Sequence, residues 1–465
     1  MLPARRGLWP RPAPMSTNAP VPHDPYAVWR NGNFRLLLAS WLALVMASQI
    51  ETVAVGVFIY DRTHNALALG WIGLVRALPV ILLAIAAGQL ADRYDRRIIL
   101  LITLIIGAVA EIGLTALVYF GAPVYWLYAF LLLSSIGQAL GSPARSALLP
   151  QLVPTNILSD AMAWNSSIFQ LGTLIGPAIG GLLLGAHDYT PPAFALAVVL
   201  RLLAVVGIAL VHIELPARKA IEMSWASVLA GIRFVWKTKV ILATITLDLF
   251  AVLVGGATYL LPLYAEDILH VGGRGLGFLR SAEAIGAICM ALALAHLPPI
   301  KRAGTAMFLA VAGFGLATIL FGLSPWFWLS MLAMFLIGAT DNISVVVRHT
   351  LVQVLTPDHM RGRVSAVNNV FILASNDLGG FESGASASLL GALAGSAGLA
   401  STDLSRRVTG AVASVVLGGL GALVVVAACA KTWPQVTRIG SLREIRPDEE
   451  QAALVEAAEE LAERD

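Results

Sequence analysis

Long apolar stretches recur along the whole chain and are separated by short polar segments. A helix needs about 20 such residues to cross the roughly 30 Å hydrocarbon core of a bilayer. The stretches are continuously apolar rather than alternating, and a backbone in lipid must satisfy its own hydrogen bonds, so they predict helices rather than strands of a barrel. Twelve membrane helices, numbered 1 to 12 in chain order, are predicted at residues 34–60, 66–90, 98–120, 124–143, 160–185, 193–213, 239–264, 276–297, 304–323, 327–347, 365–392 and 408–430.

The composition supports the same fold class. Hydrophobic residues make up 58% of the 465 residues, charged residues only 13%, and the mean hydropathy is +0.79. This is more apolar surface than the core of a soluble protein of this length requires. The sequence therefore predicts an all-α, multi-pass membrane protein.

The distribution of lysine and arginine predicts the orientation, because basic residues near helix ends are retained on the cytoplasmic side. The connections after helices 2, 6, 8, 10 and 12 hold most of them, for example Arg96, Lys219 and Lys301. The opposite connections hold few. Both chain termini are therefore expected to be cytoplasmic, and the net charge of +3 is mostly an orientation signal that does not imply nucleic acid.

The longest cytoplasmic connection divides the chain into two halves of six helices each. We expect a proline-rich, disordered cytoplasmic tail at 1–30, a first bundle at 31–213, a linker at 214–238, a second bundle at 239–430 and an acidic cytoplasmic tail at 431–465. The linker segment "SWASVLAGIRFVWK" places apolar side chains on one helical face. This pattern fits a helix in the membrane interface and equally a helix packed on the bundle.

The two halves also share sequence. The stretch "RSALLPQLVPTNILSDAMAWN" from Arg145 aligns without a gap with "RHTLVQVLTPDHMRGRVSAVN" from Arg348, at an offset of 203 positions (348 − 145). The matches include arginine, proline and asparagine, which are rare in this chain, and further on Gly181 matches Gly384. The repeat indicates duplication and predicts two pseudo-symmetric six-helix bundles.

A charged cluster interrupts the apolar pattern between helices 2 and 3, in "GQLADRYDRR". Gly88 allows a close approach of helix 2 to a neighbour, and the Asp92 carboxylate can face the positive end of another helix dipole. Arg93, Arg96 and Arg97 can pair with acids or with lipid headgroups. The alternative is that these charges only fix the topology.

Helix 5 contains "GPAIGG", which supplies Gly176, Pro177, Gly180 and Gly181. Small residues three and four positions apart form a thin helix face that permits close packing, and we expect helix 8 as the partner. Pro177 leaves the carbonyl four residues before it without its donor, so helix 5 can also bend there. Close packing without any movement is the alternative.

These motifs resemble signatures of the major facilitator superfamily. "GQLADRYDRR" is similar to its signature between helices 2 and 3, and "GPAIGG" resembles the helix 5 signature of its exporters. The stretch from Asp341 to "SNDLGGFESG" and the segment that starts at Leu247 resemble the bacterial enterobactin (siderophore) exporter branch. Two departures weaken the transfer of detail, so a drug-resistance function does not follow from the resemblance: Asp95 occupies a position that is usually glycine, and "LLLSSIGQALG" in helix 4 lacks an arginine common in drug exporters.

The resemblance implies the major facilitator fold, and it gives the charged cluster a role. Asp92 would cap a second-half helix such as helix 11 in one conformation only, and so act as a latch between states. The resemblance also implies that helices 1, 4, 7 and 10 line the central cavity, whereas helices 3, 6, 9 and 12 lie outside it.

Polar and ionisable side chains at membrane depth are the candidates for the substrate and proton pathway, because each charge costs on the order of 3 kcal/mol there unless it is paired or wet. The candidates are Gln49, Glu51, Arg76, Asp248, Glu283, Asp341, Asp377 and Glu382. Glu51, Asp248 and Asp341 gain weight from their helices, whereas Glu111 in helix 3 is expected to be a packing or lipid-facing residue.

Each candidate has two interpretations. A carboxylate shielded from water can take up and release a proton, whereas one that is paired with arginine stays ionised. Aligning "LG" at Leu69 with "LG" at Leu276 places Arg76 opposite Glu283. We also expect Glu51 to pair with Arg76 if it is structural.

The predicted function is secondary active export of a small amphipathic molecule, a siderophore-like metabolite or a drug, by alternating access, with proton antiport as the energy source. No "GxxxxGK" loop is present to use ATP, and we expect no cofactor, no metal site and no catalysis. The direction and the cytoplasmic (inner) membrane location follow from the resemblance. The expected partners are the substrate, protons and membrane lipid, and a monomer suffices.

Two alternatives remain open at this point. A lysophospholipid or other lipid transporter of the same superfamily resembles an exporter too closely for the sequence to exclude. A channel or a membrane enzyme fits poorly, because no filter sequence and no cluster of nucleophiles or metal ligands is found.

Overall fold

The structure is a computed structural model that describes residues 24, 26–186, 191–212, 225–298, 300–357 and 360–440. The side chains of Asp92, Thr155, Ala186 and residues 225–230 also lie outside this description. The expected N-terminal tail up to residue 23 and the acidic segment from residue 441 are likewise outside the described residues.

The chain folds into the twelve predicted membrane helices. They are Gly32–Thr63, Ala66–Arg93, Arg96–Tyr119, Val124–Leu152, Leu158–Ala186, Pro191–Leu210, Lys239–Gly255 with its continuation to Ile268, Gly272–His296, Ala303–Leu323, Phe327–Leu355, Arg361–Ser396 and Asp403–Thr432. Among the described residues, eleven helices are long and apolar enough to cross a bilayer. The one membrane helix outside these eleven is helix 11, which its serines, asparagines and glycines make more polar than the others.

Side chains at the helix starts explain where several helices begin. The carboxamide oxygen of Asn31 accepts the backbone N–H groups of Asn33 and Phe34 at the start of helix 1. Asp95 accepts the N–H of Arg97 at 2.8 Å and so caps helix 3. Such caps supply partners for N–H groups that have none within the helix. The aspartate at the position that is usually glycine therefore has a local structural role.

Helix 7 is less regular than predicted. The membrane crossing predicted at 239–264 is present as one span, Lys239–Ile268, but it is not a regular α-helix. The α-helix ends at Gly255, a 3₁₀ segment follows at Ala257–Leu260, and the last turn, Tyr264–Ile268, is a π-helix. Gly255 and Gly256 weaken the helix here, and Pro262 has no backbone donor. The hydrophobic pattern does not register the break, because the segment stays apolar throughout.

Equivalent helix pairs pack in both halves. In the first half, helix 1 packs on helices 5 and 6, helix 2 on helix 4, and helix 3 on helices 4 and 6. In the second half, helix 7 packs on helices 11 and 12, helix 8 on helix 10, and helix 9 on helices 10 and 12. Adding six to each helix number of the first set gives the second set. The duplication seen in the sequence is therefore also present in the packing.

The halves meet through helix 5 against helix 8 and helix 2 against helix 11. A Cβ atom on Gly181 would lie 2.7 Å from the Cα of Gly277, and one on Gly384 would lie 2.6 Å from the Cα of Gly70. Gly181 and Gly384 are related by the repeat offset of 203, and Gly70 and Gly277 by 207 (277 − 70). The two interfaces are thus copies of one another, and each requires glycine.

Several hydrogen bonds and ring contacts join the halves at the end away from the termini or in the middle of the bundle. They include Tyr60–Asp267, His64–Arg407, Trp71–Phe381 and Leu174–Ser281. Toward the termini, helices 5 and 11 instead leave Ser166, Asn369 and Asn376 exposed. Polar groups exposed at this depth face water rather than lipid. The halves are therefore joined at the end away from the termini, which we call the closed end, and polar side chains are exposed toward the other end, which we call the open end.

The linker contains a helix, Trp225–Lys237. Its residues Phe234 and Val235 are buried in the core of the second half, and Gly231 lies against the backbone of Arg363 at the start of helix 11. The linker helix therefore packs on the second bundle.

Candidate functional site

Four charged side chains form a network inside the first half. Arg201 in helix 6 donates to Glu111 in helix 3 and to Glu51 in helix 1, each at 3.0 Å, and Arg76 in helix 2 donates to Glu51 at 3.2 Å. Glu51, Glu111 and Arg201 are buried, whereas the Arg76 side chain is 20% exposed. Two carboxylates and two guanidinium groups balance in charge, so the first-half network links four helices without leaving a buried net charge.

The network decides between the two expectations for Glu111 and includes a residue that the sequence reasoning missed. Glu111 is fully buried and packs inside the bundle, so it does not face lipid. Arg201 was missed because helix 6 was expected to lie outside the cavity. An isolated arginine in "AVVLRLLAVV" needs a carboxylate partner, and that requirement was the available signal. Gly107 leaves room for it, since a Cβ there would lie 2.6 Å from the Arg201 Nη1.

Arg76 also faces the second half. Its guanidinium lies within electrostatic range of Tyr259 and Asp377. The Tyr259 hydroxyl donates to Asp377 Oδ1 at 2.6 Å. The backbone carbonyl of Asp377 in turn packs against Gly73, one turn before Arg76. The first-half network is therefore in electrostatic contact with helices 7 and 11 at the interface between the halves.

A second polar cluster lies between helices 7 and 10. Arg348 donates to Asp248 Oδ2, and the Ser344 hydroxyl lies 3.4 Å from Asp248 Oδ1. Asp341 lies one turn before Ser344 and lines the same small cavity of about 10 Å³ as Asp248. A cavity of that size is about the minimum that one water molecule needs.

Asp341 differs from Asp248 in its partners. Asp248 forms an ion pair with Arg348, and both side chains are buried. Asp341 forms no hydrogen bond and no ion pair in the part of the chain that the structure describes. A carboxylate of this kind has no fixed charge partner that keeps it ionised.

The remaining candidates are more scattered. Gln49 packs on helix 5, because a Cβ on Gly176 would lie 2.6 Å from the Gln49 Cβ. Glu283 lies in helix 8 near Arg280, and its backbone packs against Gly338 in helix 10. Glu382 is half-buried in helix 11. The structure brings Glu51 together with Arg76, the pairing considered in the sequence analysis.

Two arginines of the charged cluster after helix 2 donate hydrogen bonds to backbone carbonyls of the first half. Arg96 donates to the carbonyls of Ala91 and Ala147, both at 3.3 Å, and Arg97 donates to the carbonyl of Ala209 at 2.6 Å. Ala209 lies in the last turn of helix 6, where cations are favoured, whereas Ala147 lies five residues before the end of helix 4 at Leu152. Arg93 is exposed and Gly88 is buried. The predicted contact of the Asp92 side chain lies outside the description.

The glycine motif of helix 5 packs closely on two different helices, whereas a single packing face was expected. Gly176 and Gly180, one turn apart, pack on helix 1, where a Cβ on Gly180 would lie 3.3 Å from the Ile50 Cα. Pro177 and Gly181 pack on helix 8, and a Cβ on Gly277 would lie 2.5 Å from the Pro177 carbonyl oxygen. The motif therefore holds helix 5 closely between a helix of its own half and one of the other half.

Comparison with known proteins agrees with this architecture. The profile of one family, the Major Facilitator Superfamily, matches residues 36–379. The chain belongs to the major facilitator superfamily.

Curated relatives include the enterobactin exporter EntS of Escherichia coli O6:K15:H31. It is 27% identical over 413 residues, which are 88% of this chain and 96% of that protein. EntS of Shigella boydii serotype 18 is 27% identical over 337 residues, 72% of this chain and 80% of that protein. The resemblance to the enterobactin exporter branch that the sequence motifs indicate is therefore confirmed.

Solved structures of this superfamily show the same fold. A bacterial homologue of the human lysosomal transporter Spinster, in an inward-facing and unoccupied conformation, superposes with a TM-score of 0.70 at 16% identity and covers 89% of this chain and 99% of its own. A D-xylose–proton symporter gives a TM-score of 0.62 at 15% identity and covers 88% of this chain and 99% of its own. The protein is thus a multi-pass membrane transporter with the major facilitator fold.

Proposed function

We propose that this protein exports a small amphipathic metabolite of the siderophore type across the cytoplasmic membrane by alternating access. The observation that carries the proposal is the pair of symmetric glycine interfaces, Gly181–Gly277 and Gly70–Gly384, which join the halves at the closed end while the other end is open. Related interfaces of this kind allow two rigid bundles to rock about a central site. The exporter direction is supported by relatives named enterobactin exporters.

Alternating access requires that the closed end opens when the other end closes. Opening must break the hydrogen bond from Tyr60 to Asp267 and separate the two glycine interfaces. Arg96 and Arg97 hold the ends of helices 2, 3, 4 and 6 together at the opposite end, which lets the first bundle move as a unit. With both termini cytoplasmic, the conformation described here admits substrate from the cytoplasm.

We propose Asp341 as the proton carrier. Its carboxylate has no ion-pair partner among the described residues, and it shares a cavity with the ion pair of Asp248 and Arg348. When Asp341 is ionised, two carboxylates compete for one guanidinium. Proton binding to Asp341 removes that competition and leaves a balanced pair, so the proton changes the electrostatics between helices 7 and 10.

Transport into proteoliposomes tests the function. The purified full-length protein is reconstituted, and uptake of enterobactin is measured with and without an acidic lumen. Antiport predicts uptake that rises with the imposed gradient. Asp341→Asn should remove the dependence on the gradient and retain exchange of substrate across the membrane, whereas Asp403→Asn, whose side chain is 93% exposed, should behave as the parent.

The outcomes separate the alternatives. Uptake that does not depend on the proton gradient would reject proton coupling but not export. Movement of lysophospholipid without movement of any siderophore would identify a lipid transporter. Failure to move any amphipathic metabolite in a panel of siderophores and drugs would reject export of such molecules.

A further inference from the structure

Arg145 is a cation at membrane depth without a carboxylate partner. It lies in helix 4, about 10 Å along the helix axis from the end at Leu152. It forms no ion pair and no hydrogen bond within the described residues, and its guanidinium lies 3.9 Å from the centre of the Trp41 ring in helix 1. An unpaired charge at this depth is costly, so its presence needs a reason.

Comparison with the second half shows that Arg145 lacks the carboxylate partner that its repeat mate has. Arg145 corresponds to Arg348 at the offset of 203, and Trp41 corresponds to Asp248 at the offset of 207 (248 − 41) that also relates Gly70 to Gly277. In the second half, Arg348 forms an ion pair with Asp248. In the first half, an indole ring stands where that carboxylate would be. The two halves thus hold the same arginine, neutralised in one and available in the other.

Arg145 opens onto a cavity. This space, of about 180 Å³, lies between helices 1, 3, 4, 5 and 6 in the part of the first half that is nearer the open end. Its walls are mostly apolar, and Arg145 is the charged side chain that lines it, with a few polar neighbours. Lining residues include Leu37, Leu44, Leu104, Leu149, Met162 and Asn165.

We propose that Arg145 and Trp41 bind the anionic head of an amphipathic substrate, and that the apolar walls of this cavity hold part of its body. A guanidinium that stacks on an indole keeps its N–H edge free for two parallel hydrogen bonds to a carboxylate, phenolate, sulfate or phosphate. The ring fixes the plane of the guanidinium and adds a cation–π attraction. The inference rests on the proposed transport function and narrows the substrate to amphipathic anions.

The test measures binding rather than transport. The full-length protein is placed in nanodiscs of zwitterionic phosphatidylcholine, and the affinities for 1-naphthoate and for its uncharged analogue 1-naphthamide are compared. We expect naphthoate to bind at least ten-fold more tightly. Arg145→Gln should abolish the difference, and Arg302→Gln, an exposed arginine at the start of helix 9, should leave it unchanged.

A second variant covers the case in which Arg145→Gln does not fold. Trp41→Asp recreates in the first half the ion pair of the second half, so it retains Arg145 and neutralises it. We expect a folded protein that has lost the preference for naphthoate. Retention of that preference in Trp41→Asp would overturn the proposal, as would equal binding of the two ligands by the parent protein.

Two further arms identify the source of the anion and separate this inference from the proposed function. If phosphatidylglycerol in the nanodisc displaces naphthoate in the parent but not in Trp41→Asp, the site holds a lipid headgroup, and the anion chemistry stands with lipid as its source. If a panel shows transport that is independent of substrate charge, the inference fails while export stands. Charge-selective binding without any transport would reject export and leave the anion site intact.

Discussion

The Tyr60 hydroxyl in helix 1 donates a hydrogen bond to the Asp267 carboxylate at the end of helix 7, and the two residues are repeat mates at the offset of 207 (267 − 60). Residues related by a pseudo-twofold can contact each other only near the axis. Arg407 at the start of helix 12 lies 3.5 Å from Asp267 and donates to the carbonyl of His64 at 3.4 Å. These side chains bring both halves together at the closed end.

Removing the Asp267 charge should loosen the closed end. A hydrogen bond to a charged group contributes about 1.5–3 kcal/mol, so Asp267→Asn should raise the population with that end open by roughly ten-fold or more. A reporter cysteine at Ala66, which is buried against helix 11, in a background without Cys289 and Cys429, should react correspondingly faster with a polar thiol reagent.

The neighbouring Asp61 supplies the control. Its side chain is exposed, and it forms no hydrogen bond or ion pair within the described residues. Asp61→Asn should leave the labelling rate unchanged. Equal rates in Asp267→Asn and the parent would show that the Tyr60–Asp267 contact does not hold the closed end.

Adding one methyl group at the helix 5–helix 8 interface should separate the halves. In Gly181→Ala the new Cβ would meet the backbone of Gly273 and Gly277, which cannot rotate away. We expect faster labelling at Ala66 and a loss of about 1–3 kcal/mol in the stability of the closed conformation. Gly362→Ala is the matched control, since nothing lies within 4 Å of its added Cβ. An unchanged rate in both variants would mean that this interface tolerates a wider spacing.

Breaking the first-half network should destabilise the first bundle. Arg201→Met leaves Glu51 with Arg76 alone and removes the Arg201 ion pair of the buried Glu111, and removing one partner of a buried pair costs about 3–5 kcal/mol. Thermal unfolding of the detergent-solubilised protein should show a lower midpoint. The double variant Arg201→Met with Glu111→Gln should recover part of it, because one uncompensated charge is removed. A double variant less stable than Arg201→Met alone would contradict a charge-based cause.

The two aspartates of the second cluster should behave in opposite ways. Asp248→Asn leaves Arg348 without its partner and should lower the thermal midpoint clearly, whereas Asp341→Asn removes a carboxylate that has no ion pair and should not. In the uptake assay, Asp341→Asn should abolish the dependence on the proton gradient although the protein stays stable. Comparable destabilisation by both changes would indicate that Asp341 is also structural.

Local sequence was enough to predict the membrane helices, because the cost of exposing polar groups to lipid acts on each stretch of about 20 residues by itself. The predicted helix 9, 304–323, differs from Ala303–Leu323 by one residue at its start. The repeat was also visible in the sequence, since Pro154 and Pro357 align at the same offset of 203 as Arg145 and Arg348. Helix 4 was predicted too short, 124–143 against Val124–Leu152, because Pro143 and Pro150 are tolerated within the helix.

The sequence by itself determined which segments enter the membrane and that they form two related halves. Apart from the pair of Glu51 and Arg76, only the tertiary structure decided which charges meet. Glu51, Glu111 and Arg201 come from three helices that are up to 150 positions apart in the chain (201 − 51), and their contact depends on helix rotation and on the space at Gly107. Partner choice for a charge depends on distance in space, which hydrophobic periodicity does not encode, whereas insertion into lipid depends on composition along the chain, which it does.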